Sequence, residues 1–168
     1  MEISEIIDWN KNQNEHVRIV QKLVKCFCDN LMVKAIDHDT SKYWRNEYEG
    51  FLNISSSLKK GPNSEEYKQS LKSDCIKNHY LNNPHHPEHY SNGKKMPIDE
   101  AIIMYFDWMS RSIQNSTKEQ AIKNFEEYWD SNLSKLIPNQ EHLLPFLKNL
   151  KKIFPPERCF EFGQKIPF

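Results

Sequence analysis

Residues 97–109, PIDEAIIMYFDWM, form the stretch that decides the fold class of this chain. Its apolar side chains recur every three or four residues, the spacing that places side chains on one face of a helix. The apolar stripe consists of Ile98, Ile102, Phe106 and Met109. Pro97 suits the first turn of such a helix. The stretch therefore predicts an amphipathic helix, with Asp107 beside its apolar face.

The same periodicity recurs along most of the chain, in which only 4 of 168 residues are glycine. This combination favours helices over strands joined by tight turns. We therefore predict an all-α fold, a single-domain helical bundle of about six helices over residues 1–168. The metal-site core is expected within about residues 14–115, and residues 116–168 would add further helices and a tail. The predicted helices begin near Asn14, His38, Ser64, Pro97, Ser116 and Asn139.

The composition excludes several classes of protein. Twenty-three basic and 23 acidic side chains balance to zero, so there is no strong nucleic-acid signal. No stretch approaches the roughly 18 uninterrupted apolar residues of a membrane span, and we expect no membrane partner. The four cysteines form no CxxC pair, and the N-terminus shows no basic segment followed by an apolar run. We expect a cytoplasmic protein, in the host cytoplasm if the chain is phage-encoded.

Histidines and aspartates are the most informative residues for function. His38 directly precedes Asp39, and His79 follows Cys75 by one helical turn, which predicts an inward-facing imidazole. His85 and His86 lie in a loop rich in Pro, Asn and Gly that is better explained by function than by structure. Imidazole nitrogens and carboxylate oxygens are the ligands of transition metals. The candidate metal ligands are His16, His38, Asp39, His79, His85, His86 and Asp107.

The order of these residues on successive helices resembles that of the HD superfamily of helical metal-dependent phosphohydrolases. The run His38-Asp39-Thr40-Ser41-Lys42 is similar to the HD-x-x-K variant of its motif. The stretch from His79 to Glu88, followed by a helix with Asp107, also resembles a small uncharacterised family of phages and bacteria. The likeness covers about the first two thirds of the chain. It departs from the HD-GYP branch, in which the paired histidines lie much further beyond the preceding histidine.

The resemblance implies a primary metal site and a second one. His16, His38, Asp39 and Asp107 would form the first, and His79 with His85 or His86 would complete the second, with Asp39 bridging. One or two divalent transition-metal ions are expected, from among Mn, Fe, Co, Ni and Zn. A metal held in this way lowers the pKa of bound water and supplies hydroxide for attack on phosphorus.

The implied activity is hydrolysis of a small phosphorylated substrate, a nucleotide or another phosphate ester, by metal-activated water. Lys42 would offset charge on the phosphate, Asp39 would hold the metal and Glu88 would act as an acid or base. Tyr90 or Trp108 would stack on a base if the substrate is a nucleotide. The residues expected to bind the substrate's phosphates are Arg18, Lys94, Lys95 and Arg111.

Simpler interpretations stay open beside these roles. Asp107 can pair with Arg111 four residues later as an ordinary surface ion pair, and Lys42 can be a solvated side chain. A lone inward His16 or His79 is more often a hydrogen-bonded core residue than a ligand. Two rival functions are an HD-type di-iron oxygenase and a non-catalytic, metal-stabilised helical binding protein. A homo-oligomer is compatible with the sequence.

Overall fold

The structure, a computed structural model, describes residues 2–59, 61, 64–91, 93–114 and 116–165. Side chains are described for these residues except at positions 134, 135, 137–139, 164 and 165. Over these ranges the chain forms eight α-helices and no strand, which confirms the all-α prediction. The helices are α1 (Ile3–Asp37), α2 (Arg45–Leu58), α3 (Glu65–Ser70), α4 (Asp74–Asn82), α5 (Ile98–Ile113), α6 (Lys118–Gln140), α7 (Leu144–Ile153) and α8 (Pro156–Lys165).

The number of helices differs from the predicted six for two local reasons. The helix predicted to begin at Ser64 is interrupted around residues 71–73, and the polar Ser73 becomes the residue before α4. The C-terminal tail is helical and forms α8, and the predicted tail residue Phe168 lies outside the described residues. Short 3₁₀ helices cover Thr40–Tyr43, Pro87–Tyr90 and Glu141–Leu143.

Two predicted helix starts were wrong by a few residues. The hydroxyl of Thr117, and not that of Ser116, accepts a hydrogen bond from the backbone N–H of Gln120 at the start of α6. Helix α6 continues through position 139 to Gln140, so Asn139 is not the cap of the next helix. That helix, α7, begins only at Leu144, after a 3₁₀ turn. Propensity locates helices better than it locates their ends.

The chain divides into two compact units, Met1–Asp37 and His38–Phe168. The first contains α1, which begins 11 residues before the expected Asn14. None of its described side chains is buried, and apolar residues such as Val17 and Val20 are exposed. The prediction of one domain over residues 1–168 stays a prediction. Among the described residues, no helix combines the length and the apolar character needed to cross a lipid bilayer.

The core of the second unit lies between α5, α6, α7 and α8. Tyr105, Phe125 and Leu147 are fully buried there, and Trp129 is 5% exposed. The buried face of α5 coincides with the predicted stripe only in part, because Met109 is buried and Ile102 packs against the core. Its buried residues include Met104, Tyr105 and Trp108, whereas Ile98 and Phe106 are exposed. Because α5 packs against several helices, its buried face is wider than a single stripe.

Helices α2, α3 and α4 form a smaller layer of the same unit, and α2 and α4 approach each other closely at Gly50. A methyl group on Gly50 would lie 2.4 Å from Cβ of Cys75, so only glycine fits this contact. The Cys75 thiol lies against the backbone of α2, 3.3 Å from the carbonyl oxygen of Glu47. One turn along each helix from this contact lie Glu47 and His79. The close packing therefore sets the distance between these two side chains.

Candidate metal centre

The carboxylate of Asp39 lies at the centre of the predicted ligands that belong to the second unit. Its Oδ1 atom is 3.0 Å from Nε2 of His79, 3.4 Å from Nε2 of His85 and 4.0 Å from Nε2 of His86. The Asp39 side chain is only 15% exposed, and His79 and His85 are buried. Three imidazoles thus converge on one carboxylate oxygen.

Backbone conformation brings Asp39 into this position. Asp39 has a φ of 62° and a ψ of 5°, and it is the one non-glycine residue with positive φ in the described part of the chain. Aspartate and asparagine tolerate this left-handed conformation better than most residues. The backbone N–H of Asp39 donates to Oδ1 of Asn83 at 3.2 Å. His38 and Asp39 therefore lie in a turn that α4 supports, and not on the helix that the sequence predicted.

Two cationic side chains reach the other carboxylate oxygen of Asp39. The Lys42 ammonium pairs with Oδ2, and Nη2 of Arg111 lies 3.4 Å from the same atom. The Arg111 Nε atom is also 3.6 Å from Oδ1 of Asp107. The ion pair between Asp107 and Arg111 therefore exists, and Arg111 joins it to Asp39. Two of the predicted phosphate-handling cations thus lie beside Asp39.

Two overlapping sets of three residues have the composition of a metal site. One is Asp39, His85 and His86, and the other is His38, Asp39 and Asp107, and each offers ligand atoms within 4.8 Å of one another. Ligand atoms about 2.1 Å from a common ion can lie at most about 4.2 Å apart. The two sets are therefore close to coordination geometry, and Asp39 belongs to both.

His79 is held from behind by a buried carboxylate. Glu47, which is fully buried, places Oε2 at 3.1 Å from Nδ1 of His79. The same carboxylate accepts hydrogen bonds from the Ser41 hydroxyl at 2.7 Å and from Nδ2 of Asn82 at 3.1 Å. A carboxylate that binds one ring nitrogen fixes the orientation of the ring and presents the other nitrogen to the site.

The surrounding donors indicate which nitrogen of His79 carries the proton. Asn83 Nδ2 also lies close to Nδ1 of His79, at 3.0 Å, but its two hydrogens are used by the Ser41 hydroxyl at 2.6 Å and by the carbonyl oxygen of His79 at 2.7 Å. The Glu47 carboxylate accepts hydrogen bonds from Ser41 and Asn82, so we infer that Nδ1 of His79 donates to it as well. The unprotonated Nε2 then faces the carboxylate of Asp39 and, at 3.0 Å, Nε2 of His86. In this tautomer Nε2 of His79 is available to coordinate a cation.

The electrostatics of the centre favour metal-binding protonation states. Burial alone raises the pKa of Asp39, but the close approach of His79, His85 and Lys42 outweighs it and holds this pKa well below its usual range. Burial, together with the neighbouring His85 and His79, lowers the pKa of His86 to about 2. A neutral imidazole and an ionised carboxylate are the forms that coordinate a metal.

Six of the seven predicted ligands are brought together in the second unit. His16 is not among them, because it lies, exposed, on α1 in the first unit, as does the predicted phosphate ligand Arg18. Lys94 and Lys95 are exposed residues of the segment before α5, where the carbonyl of Lys94 accepts from Nε2 of Gln140. Glu88 is exposed on the 3₁₀ helix Pro87–Tyr90. The roles predicted for these five residues stay predictions.

Sequence reasoning missed Glu47, Ser41 and Asn83. A signal for Glu47 was present, because it lies three residues after Trp44 and four before Phe51, the spacing that places it on one helix face with these two aromatic residues. A carboxylate on such a face requires a partner. The identity of that partner, 32 residues further along the chain, could not be read from periodicity.

One comparison with known proteins gave a match. A family model described as a family of unknown function (DUF5662) matches residues 6–152. No curated protein and no solved structure matches the chain. The matched range contains every residue of the cluster described above.

Proposed function

Because the chain belongs to DUF5662, a family of unknown function, we propose an activity from the chemistry of its own residues. The protein is a metal-dependent phosphohydrolase that cleaves a small phosphate ester, a nucleotide in the first instance, with metal-activated water. Its metal is a divalent transition ion held by Asp39 with the imidazoles around it. The likeness to the HD superfamily stated above is part of this proposal.

A single observation carries the proposal. Oδ1 of Asp39 and Nε2 of His85 lie 3.4 Å apart, both are buried, and neither has a hydrogen-bond partner within the described residues. Imidazole nitrogens surround Oδ1 closely, and Nε2 of His79 lies 3.0 Å away. Each buried polar atom without a partner costs about 1–3 kcal/mol. A cation shared by the two atoms removes both costs at once.

In the proposed reaction, the residues around Asp39 have different roles. A divalent ion in such a site supplies a water of lowered pKa and open coordination positions. The buried Glu47 keeps the imidazole of His79 oriented toward the centre. Lys42 and Arg111, already beside Oδ2 of Asp39, are placed to pair with phosphate oxygens that approach from the same side. Positive charge fixed in advance at this position stabilises the transition state of phosphoryl transfer.

Metal analysis combined with an activity screen tests the proposal. We expect purified protein to retain a transition metal and to release phosphate from nucleotides, and chelation to abolish the activity. Asp39→Asn should lose both metal and activity. The control Asp130→Asn, an exposed position on α6, should lose neither. The asparagine substitution is chosen because it tolerates the left-handed backbone at position 39.

Three results would contradict the proposal. Phosphate release by metal-stripped protein would exclude the mechanism. Bound iron with consumption of dioxygen, and no phosphate release, would favour the oxygenase instead. An Asp39→Asn variant that lost the metal and kept its biological effect would support a binding protein without turnover.

A further inference from the structure

A cavity of about 420 Å³ lies beside the metal centre in the second unit. The 3₁₀ helix Pro87–Tyr90, α5 and α6 contribute its walls. His86 lines the cavity and also belongs to the ligand set with Asp39 and His85. Cavities of about 300–1,000 Å³ hold small molecules. A substrate with its phosphate at Asp39 can therefore extend past His86 into this space.

Aromatic rings form much of the cavity wall. Tyr80 lies 5.0 Å from the His86 ring, and the indole of Trp108 lies 5.7 Å from the ring of Tyr128. Trp108 is 5% exposed, which fixes its ring in place. Planar ligands stack on such surfaces, and each stacked base contributes about 1–3 kcal/mol. The aromatic part of the wall therefore favours a flat, conjugated ring.

The charge of the lining residues indicates which kind of planar ligand the cavity favours. Among the lining residues whose side chains the structure describes, Glu88 is the one acidic residue, and none is Lys or Arg. A carboxylate in the cavity wall disfavours a phosphate beside it and attracts N–H groups.

We propose that this cavity binds the guanine base of a nucleotide whose phosphate lies at the metal centre. The placement of the phosphate rests on the function proposed above. The two oxygens of Glu88 accept from the ring N1–H and the exocyclic amino group of guanine. Guanine alone among the common bases presents two adjacent donors, which match a carboxylate in a bidentate pair. Adenine and cytosine present a donor beside an acceptor, which leaves one carboxylate oxygen opposite a lone pair.

Nucleosides test the inference without involving phosphate chemistry. Guanosine, inosine and adenosine are titrated into the full-length protein, and binding is followed by the indole N–H signal of Trp108 in NMR spectra. Inosine lacks the exocyclic amino group, so we expect guanosine to bind at least about tenfold more tightly than either competitor. Glu88→Gln should reduce this preference to less than about threefold, because its amide donates where guanine also donates. Glu127→Gln, an exposed acidic position on α6, is the control that should keep the preference.

Several outcomes overturn the inference. They are equal affinities for the three nucleosides, no binding of any of them, or a guanosine preference that survives Glu88→Gln. Failure of phosphate release does not affect the result, since nucleosides contain no phosphate. A protein that hydrolyses ribose 5-phosphate as readily as guanosine monophosphate would keep the proposed function and lose this inference.

Discussion

At the scale of single residues, Glu47 is a buried acidic side chain of the second unit that requires several hydrogen-bond partners. It is fully buried, and an ionised carboxylate without partners would be very unfavourable there. Hydrogen bonds from Ser41 and Asn82 and the contact with His79 offset this cost. A buried charge with three partners on the far side of a candidate ligand orients that ligand.

Substitution of Glu47 tests this positioning role. Glu47→Gln keeps the size of the side chain but places an amide that can turn a donor toward Nδ1 of His79, so the ring loses its fixed tautomer. We expect a 10- to 100-fold loss of metal affinity, as is typical for such supporting residues, with helix content unchanged in circular dichroism. Glu49→Gln, exposed on the same helix, should bind metal like the wild type. An unaltered metal affinity in Glu47→Gln would show that His79 needs no support.

The lowered pKa of His86 predicts a pH dependence of stability. Its imidazole stays neutral in the folded protein down to about pH 2, whereas in the unfolded chain it takes up a proton below its ordinary pKa of 6.5. His86 therefore leaves the free energy of unfolding almost unchanged well above pH 6.5. Below that pH the unfolded chain gains a proton that the folded protein does not, so the free energy of unfolding falls as the pH falls. By pH 5 the loss for metal-free protein should reach about 2 kcal/mol. Asp39 contributes little in this range, because its unfolded-state pKa is 3.8.

Urea unfolding of the metal-free protein at pH 7.5 and pH 5 measures this effect. His86→Asn should lose less stability between the two pH values than the wild type, by roughly the 2 kcal/mol assigned to this imidazole. Identical losses in the two proteins would mean that His86 is not responsible.

At the scale of helices, the contact between Gly50 and Cys75 determines how α2 and α4 meet. An alanine at position 50 would place its methyl carbon 2.4 Å from Cβ and 2.6 Å from Sγ of Cys75, so the helices would have to separate. We expect Gly50→Ala to lower the free energy of unfolding by about 1–3 kcal/mol. Metal affinity should fall with it, since Glu47 would be drawn away from His79.

Another helical glycine provides the matched control for this substitution. A methyl group on Gly163 in α8 would lie 3.6 Å from Cγ2 of Ile113, an ordinary contact. Gly163→Ala should leave the protein unchanged or stabilise it by up to about 1 kcal/mol, because alanine is the better helix former. Urea midpoints of the two variants decide between the expectations. If the two variants had the same urea midpoint, the close packing of α2 and α4 would not contribute to the stability of the protein.

The helices also show what sequence can and cannot predict. The inward position of His79 was predicted from its spacing to Cys75, and it is correct because both residues lie on α4. The interruption near Ser73 was missed, because a few polar residues fit the surface of a continuous helix equally well. The left-handed turn at Asp39 was also missed, since it depends on Asn83, 44 residues further along the chain. Local periodicity predicted which residues face inward, and contacts distant in sequence determined what they meet.

At the scale of the whole molecule, the core and the candidate centre are supported separately. The buried aromatic residues between α5 and α8 need no metal to pack, and the ligands lie mainly on α4, the Asp39 turn and the segment after α4. The second unit should therefore fold without its ion and gain stability when the ion binds.

Calorimetry of the whole chain tests this separation. At an ion concentration 100 times the Kd, binding should add about 2.7 kcal/mol to the free energy of unfolding. For a protein of this size the melting temperature should then rise by about 5–10 °C. Chelation should reverse the shift, and Asp39→Asn should abolish it. A metal-free protein without helical structure would show instead that the ion is required for folding.

The left-handed backbone conformation at position 39 limits which residues can replace Asp39 during evolution. A β-branched or bulky residue at this φ would strain the turn, whereas glycine, asparagine and aspartate accept it. Of these three, only aspartate brings the negative charge. We therefore expect that a single substitution by asparagine or glycine would remove the proposed activity from a descendant of this chain and leave its fold unchanged. Such a substitution would identify a member of the lineage that retained the scaffold for a new purpose.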